Sequence, residues 1–183
     1  NRYKLHGAVL AFFGLTAFIT LYPQIFHSGT RGAGYDWFFP HWAFWWVRHA
    51  LSTDGLDVYR SNFVMFPYTT NYAYNVLTLF WFPAWAVLEP LIGTLDAVTV
   101  IIFAGCVLNG YLFFVFLRGE SVAPGPALIG GLALQIFPIV RYFYYNTHIN
   151  LMNWFLIPTL LMIWKLTTRA ADSNRRGRAL AGA

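Results

Sequence analysis

The sequence predicts an all-α integral membrane protein with four transmembrane helices, and three observations support this fold class. Apolar residues make up 58% of the 183 residues and charged residues only 10%, whereas soluble domains are about 25% charged. The apolar residues form blocks of about 20, the number that spans a bilayer as a helix. Basic residues flank these blocks, as is typical of topology signals. This composition excludes a disordered chain, a disulfide-linked scaffold and an ordinary soluble enzyme.

The elements follow from these blocks in chain order. We predict the first span at residues 5–26, after Arg2 and Lys4. A long extracytoplasmic loop covers residues 27–96, and it contains an interfacial helix at residues 36–51 and an apolar segment at residues 76–93. Three further spans are predicted at residues 97–117, 124–145 and 150–168. A basic cytoplasmic tail at residues 169–183 completes a single transmembrane domain.

The basic residues favour four spans over five. If residues 76–93 also crossed, Arg118 and the arginine-rich tail would lie outside, against the positive-inside rule. If the segment is juxtamembrane or re-entrant, both termini are cytoplasmic together with eight of the twelve basic residues: Arg2, Lys4, Arg118, Lys165, Arg169, Arg175, Arg176 and Arg178. Pro83 and Pro90 support this arrangement, because proline inside a helix costs about 3 kcal/mol. Five spans are the alternative.

The outer loop holds the residues with chemical potential. In the helix predicted at residues 36–51, Pro40 falls in the first turn, and we expect His41, Arg48 and His49 to share a polar side. Trp37, Phe44, Trp45 and Leu51 supply the apolar remainder, as in helices that lie flat in the interface. Asp36 at its start has two interpretations. A carboxylate there can act as a general base or bind a cation, or it can cap the helix.

Two runs of residues resemble the GT-C type of membrane glycosyltransferase. The first is an early span, a loop aspartate (Asp36) before a tryptophan-rich helix, and Phe66-Pro67 before the second apolar stretch. The second is Ile129-Gly-Gly-Leu-Ala-Leu-Gln-Ile-Phe-Pro138, followed by Tyr145-Asn-Thr-His-Ile-Asn150 and Trp154-Phe-Leu-Ile-Pro158. The resemblance covers nearly the whole chain. It implies a polytopic enzyme that takes a sugar from a polyprenyl-phosphate donor on the extracytoplasmic face.

The resemblance also implies roles for individual residues. Asp36 matches the catalytic base, and His148 and Asn150 match a segment that faces the same cavity. From its chemistry, Arg141 could bind the lipid phosphate as a bidentate fork or simply extend its charge to the interface, and we group His41 with the phosphate-binding candidates. The chain has no Asp-x-Asp or Asp-x-Glu pair, so a divalent cation is unassigned. It is also shorter than full members of the family, so we expect either that it is the N-terminal part of a longer protein or that the scaffold is reused without catalysis.

A second hypothesis is a non-catalytic transmembrane subunit of a larger membrane complex, since aromatic residues make up 20% of the chain and suit helix packing. A transporter fragment fits less well, because the spans carry almost no interior charge. Nucleic-acid binding is excluded, since the basic residues form no aromatic-lined soluble face. The expected partners are the bilayer, a polyprenyl-linked sugar and other membrane subunits, and the expected location is a prokaryotic inner or plasma membrane. The single cysteine, Cys106, is predicted to be a packed, inert thiol.

Overall fold

Helices dominate the structure, a computed structural model that describes residues 2–27, 39–63, 66–72, 79–145, 149 and 152–181. Helix accounts for 77% of it. Over the described residues the elements are α1 (Arg2–His27), α2 (Phe39–Ser52), β1 (Arg60–Ser61), β2 (Thr70–Asn71), α3 (Phe82–Ile92), α4 (Thr94–Gly119), α5 (Pro124–Ile136), α6 (Pro138–Tyr145) and α7 (Leu156–Ala181). The two strands pair antiparallel in a short hairpin after α2.

Two helices among the described residues are long and apolar enough to cross a membrane. They are Tyr3–Tyr22 within α1 and Thr94–Gly119, which is α4. The structure therefore has the mostly helical, membrane-compatible character that the composition predicts. The finer prediction of four spans is not confirmed by these two helices and stays a prediction.

The segment predicted as the third span is divided into α5 and α6. Between them, Phe137 leaves the helical conformation, with φ −53° and ψ 132°. The cause is Pro138, which has no N–H to donate and whose ring disfavours the helical conformation of the preceding residue. The segment predicted as the fourth span, residues 150–168, also differs from the prediction, because α7 begins only at Leu156.

The long helix α4 lies at the centre of the bundle, and α1, α3, α5 and α7 all pack against it. Glycines allow the closest of these contacts. A β-carbon built on Gly131 of α5 would lie 2.5 Å from the carbonyl oxygen of Gly110 in α4 and 2.6 Å from Cζ of Phe13 in α1. Small residues at such positions let helix backbones approach each other closely.

Two buried amide side chains connect the helices in the interior. Asn109 donates from Nδ2 to the carbonyl of Met152 at 2.7 Å, and its Oδ1 accepts the N–H of Phe155 at 2.6 Å. Gln135 donates to the carbonyl of Phe13 at 2.9 Å. Both amides are completely buried, so these hydrogen bonds satisfy polar groups that would otherwise destabilise the core.

The contacts define two ends of the bundle. His6 of α1 hydrogen bonds Tyr111 near the end of α4, and Lys165 of α7 pairs with Glu120. We call residues 2–6, 111–122 and 162–169 the basic end. At the opposite end, which we call the loop end, lie the end of α1 at residues 21–27, the whole of α2, the end of α3, the start of α4 and the helix α6.

The short helix α3 runs beside the first half of α4. Its eleven residues are about 16 Å long, whereas the 26 residues of α4 are about 39 Å long. It begins beside Asn153, whose Oδ1 accepts the Nε1–H of Trp81 at 2.8 Å. It ends at the loop end, where Gly93 adopts φ 83°, a left-handed conformation that glycine permits. The chain then reverses directly into α4.

Candidate functional site

The candidate site is at the loop end, and the structure describes two of its five predicted residues. His41 lies on α2 and Arg141 on α6. Asp36, His148 and Asn150 lie outside the described residues. The described surroundings of the site are α2 with its neighbours, and α6.

Trp85 of α3 is a central contact for helix α2. The ring of Phe44 stacks on Trp85 with centroids 5.3 Å apart, and the guanidinium of Arg48 lies 4.4 Å from the centroid of the Trp85 ring. The indole Nε1–H of Trp85 points to Oγ1 of Thr94 at 3.3 Å. Phe44 and Arg48 are four residues apart and therefore lie on the same face of the helix. This face holds α2 against α3 and the start of α4.

An ion pair strengthens the same contact. Nη1 of Arg48 donates to Oε2 of Glu89 at 2.6 Å, and Nη2 donates to the carbonyl of Ala86 at 3.3 Å. The side chains of Arg48 and Glu89 are 38% and 28% exposed, so water screens part of the attraction. The guanidinium therefore contributes through three contacts together, with a carboxylate, a carbonyl and an aromatic ring.

The face of α2 that packs inward combines residues from both predicted sides, so the predicted division into a polar and an apolar side is wrong. Phe44, expected on the apolar side, is completely buried, and His41, expected on the polar side, is buried as well. His41 is 8% exposed, whereas Trp45 and Leu51, expected on the apolar side, are 44% and 66% exposed. The reason is that the contact partners of His41, Phe44 and Arg48 come from α3 and α4, far away along the chain. The exposed Trp45 stacks on His49 with centroids 5.2 Å apart.

Burial changes the chemistry of His41. Loss of hydration lowers the pKa of the imidazole below its ordinary value, and a hydrogen bond with the backbone of Thr94 offsets this only in part. A neutral, buried imidazole attracts phosphate weakly. Its position favours a structural contact between α2 and the first turn of α4.

The hairpin covers the other side of α2. Nε1 of Trp46 donates to the carbonyl of Val58 at 2.9 Å, and Trp42 packs on Tyr72 with centroids 5.2 Å apart. Helix α2 is thus fixed on two sides, by α3 and by the hairpin. The described part of α2 begins at Phe39, and Asp36 lies outside the described residues.

Arg141 lies at a different part of the loop end. Its helix, α6, packs on α1 and α5. Val140 is fully buried in the main core, while Arg141 and Tyr142 are exposed. The buried valine therefore fixes the position of the arginine. Tyr142 beside it is 57% exposed.

The structure also contains a cavity that the sequence did not indicate. It has a volume of about 520 Å³, lies at the basic end between α1, α4 and α7, and includes Arg118, Lys165 and Arg169 in its lining. From the sequence alone, these three basic residues indicate only the topology. The signal that could have found the cavity is their spacing, since Lys165 and Arg169 are four residues apart on one helix face.

At the loop end, the described residues provide a fixed helix after Asp36 and a fixed arginine on α6. Among the described residues there is no group of three histidine, cysteine or acidic side chains that could hold a metal ion. The main chemical capacity of this arrangement is binding a negative charge through Arg141. The chain matches no protein-family model, no curated protein and no solved structure.

Proposed function

We propose that the chain is the N-terminal part of a GT-C type membrane glycosyltransferase, which transfers a sugar from a polyprenyl-phosphate donor on the extracytoplasmic face. One observation carries the proposal. The elements that flank every predicted site residue lie together at the loop end: α1 and α2 on either side of Asp36, and α6 before His148 and Asn150.

The arrangement of the helices supports a topology with this end outside. In the antiparallel bundle, Arg2, Lys4, Arg118, Lys165 and Arg169 all belong to the basic end or border it. The positive-inside rule then makes the basic end cytoplasmic and the loop end extracytoplasmic. At about 16 Å, α3 is half the thickness of the hydrocarbon core, and it returns to the loop end, as a re-entrant segment does.

The proposed chemistry needs one base and one or more cations. The base takes the proton of the acceptor hydroxyl while the acceptor oxygen bonds to the anomeric carbon of the sugar. The bond between that carbon and the oxygen of the lipid phosphate breaks. We assign the base to Asp36 and the stabilisation of the departing phosphate to Arg141, with His148 and Asn150 as further ligands. The buried His41 is left with a supporting role under α2.

The anchoring of α2 by residues other than Asp36 supports Asp36 as the base. Asp36 lies outside the described residues, and the described part of α2 begins at Phe39. The helix itself is anchored by Phe44 and Arg48 on Trp85. Removal of the Asp36 carboxylate should therefore change activity much more than stability.

The discriminating variant is Asp36→Asn, because asparagine caps a helix as well as aspartate but cannot accept the proton. In the complete polypeptide with a lipid-linked sugar donor, we expect transfer to fall 10²–10⁴-fold at unchanged expression, the usual loss for a missing general base. Asp54→Asn is the matched control, since Asp54 is an exposed carboxylate in the same loop. Full activity of Asp36→Asn would refute the assignment and favour a non-catalytic transmembrane subunit.

A further inference from the structure

We propose that the cavity at the basic end binds the phosphate headgroup of an anionic phospholipid. The cavity opens between the start of α1, the end of α4 and the middle of α7 and has a volume of about 520 Å³. It lies at the opposite end of the bundle from the candidate site. The inference is therefore independent of glycosyl transfer and uses only the arrangement of the helices.

The lining carries an excess of positive charge. Three basic side chains, Arg118, Lys165 and Arg169, face one carboxylate, Glu120, which leaves a formal charge of +2. Glu120 pairs with Lys165. Such a set of cations at one end of a helical bundle is typical of sites for anionic headgroups.

The two arginines retain donors for a ligand. Arg118 donates one hydrogen bond from Nη1 to the carbonyl of Val122, and a guanidinium has five N–H donors in all. Arg169 is exposed and makes no ion pair with the residues that the structure describes. Two planar guanidinium groups next to one cavity suit the oxygen atoms of a phosphate.

The remaining walls distinguish a lipid from a free anion. Apolar side chains form much of the lining: Leu5, Phe114, Val115, Phe116, Met162 and Leu166. A hydrated inorganic phosphate gains nothing from such walls, whereas the glycerol and first methylene groups of a lipid would cover them. Ile163 and Leu166 of α7 are 51% and 66% exposed, so an apolar surface continues from the cavity along α7. The combination of a cationic rim and an apolar wall matches an anionic phospholipid.

The test measures lipid binding to the purified full-length protein in nanodiscs of phosphatidylcholine to which phosphatidylglycerol is added in steps. We expect phosphatidylglycerol to raise the apparent melting temperature and to remain bound in native mass spectrometry. The double variant Arg118→Gln/Arg169→Gln should weaken this binding roughly thirtyfold, because each basic residue near a membrane surface contributes about a factor of five. Arg60→Gln is the matched control, since Arg60 is an exposed arginine at the loop end, and it should bind the lipid as the unaltered protein does.

Three results would overturn the proposal. They are equal binding of phosphatidylcholine, unchanged binding by the double variant, and equal stabilisation by millimolar inorganic phosphate without lipid, which would show a free-anion site. The single variant Arg169→Gln serves if the double variant fails to fold. Arg169 is exposed at the surface of α7, so its replacement leaves the packing intact, and a loss of roughly fivefold is then expected.

Discussion

The contact between α1, α4 and α5 predicts that Gly131→Ala destabilises the protein. A β-carbon at this position would lie 2.5 Å from the carbonyl oxygen of Gly110 and must move about 0.9 Å to reach the 3.4 Å of an ordinary contact. The obstacle on one side is the backbone of the central helix α4, and on the other side it is the side chain of Phe13, which is completely buried. The two helices must therefore separate rather than rearrange a side chain.

Such overpacking costs about 1–3 kcal/mol. For a chain of this size, a loss of about 2 kcal/mol lowers the melting temperature by roughly 4–8 °C. Gly14→Ala is the matched control, because Gly14 also lies in a helix of the bundle but has no atom within 4 Å of the position that a β-carbon would take. Alanine has the higher helix propensity, by up to about 1 kcal/mol, so this variant should be as stable as the unaltered protein or more stable.

The assay is thermal unfolding in detergent, followed by the fluorescence of the eight tryptophans. Monodispersity after heating, measured by size-exclusion chromatography, gives a second readout. An unchanged melting temperature for Gly131→Ala, beside a normal Gly14→Ala, would refute the close approach of α4 and α5.

Three other measurements test separate parts of the structure. Asn109→Leu should lower stability by about 1–3 kcal/mol, because it leaves the N–H of Phe155 without its buried partner. It also removes one of the two hydrogen bonds to the carbonyl of Met152, which still accepts the N–H of Trp154. An unchanged melting temperature would contradict this. Burial lowers the pKa of the His41 imidazole in the folded state, so protonation favours the unfolded chain. The free energy of unfolding should therefore be intact above about pH 6.5, the ordinary pKa of histidine, and should fall as the pH drops below that value. His41→Phe should abolish this dependence and His49→Phe should retain it, whereas an identical pH profile for His41→Phe would exclude His41 as its source. The topology can be tested with single cysteines in a Cys106→Ala background. Ser52→Cys, at an exposed position, should react with an impermeant reagent added from outside, and Ser121→Cys should not. Labelling of Ser121→Cys from outside would contradict the proposed orientation. Ser61 is unsuitable for this experiment because it is only 2% exposed.

The composition and the block pattern predicted a helical, membrane-compatible chain, because apolar content and block length are local properties of a sequence. The first and second predicted spans, at residues 5–26 and 97–117, fall within α1 and α4. Cys106 is buried, as predicted. The break at Pro138 has a local signal in the sequence, because a proline disfavours the helical conformation of the residue before it.

Contacts between distant parts of the chain could not be predicted in the same way. The pairing of Arg48 with Glu89 joins residues 41 positions apart, and no periodicity within α2 indicates that residues from both predicted sides pack on α3. Asn109 and Gln135 offered a better signal, since an amide inside an apolar span must find a partner. At the candidate site, Arg141 could be assigned to the exposed end of a helix from its position alone, whereas the burial of His41 depends on α4.

The paired starts of α3 and α7 have an electrostatic consequence. Trp81, at the start of α3, contacts Asn153, which lies just before α7, and from there the two helices run to opposite ends of the bundle. Each helix has a positive partial charge at its N-terminus, equivalent to about half an elementary charge, so two positive ends meet in the interior. The amide oxygen of Asn109 accepts the N–H of Phe155. This hydrogen bond offsets the positive potential near α7 without burying a full charge. The middle of the bundle is consequently an unfavourable place for a cation.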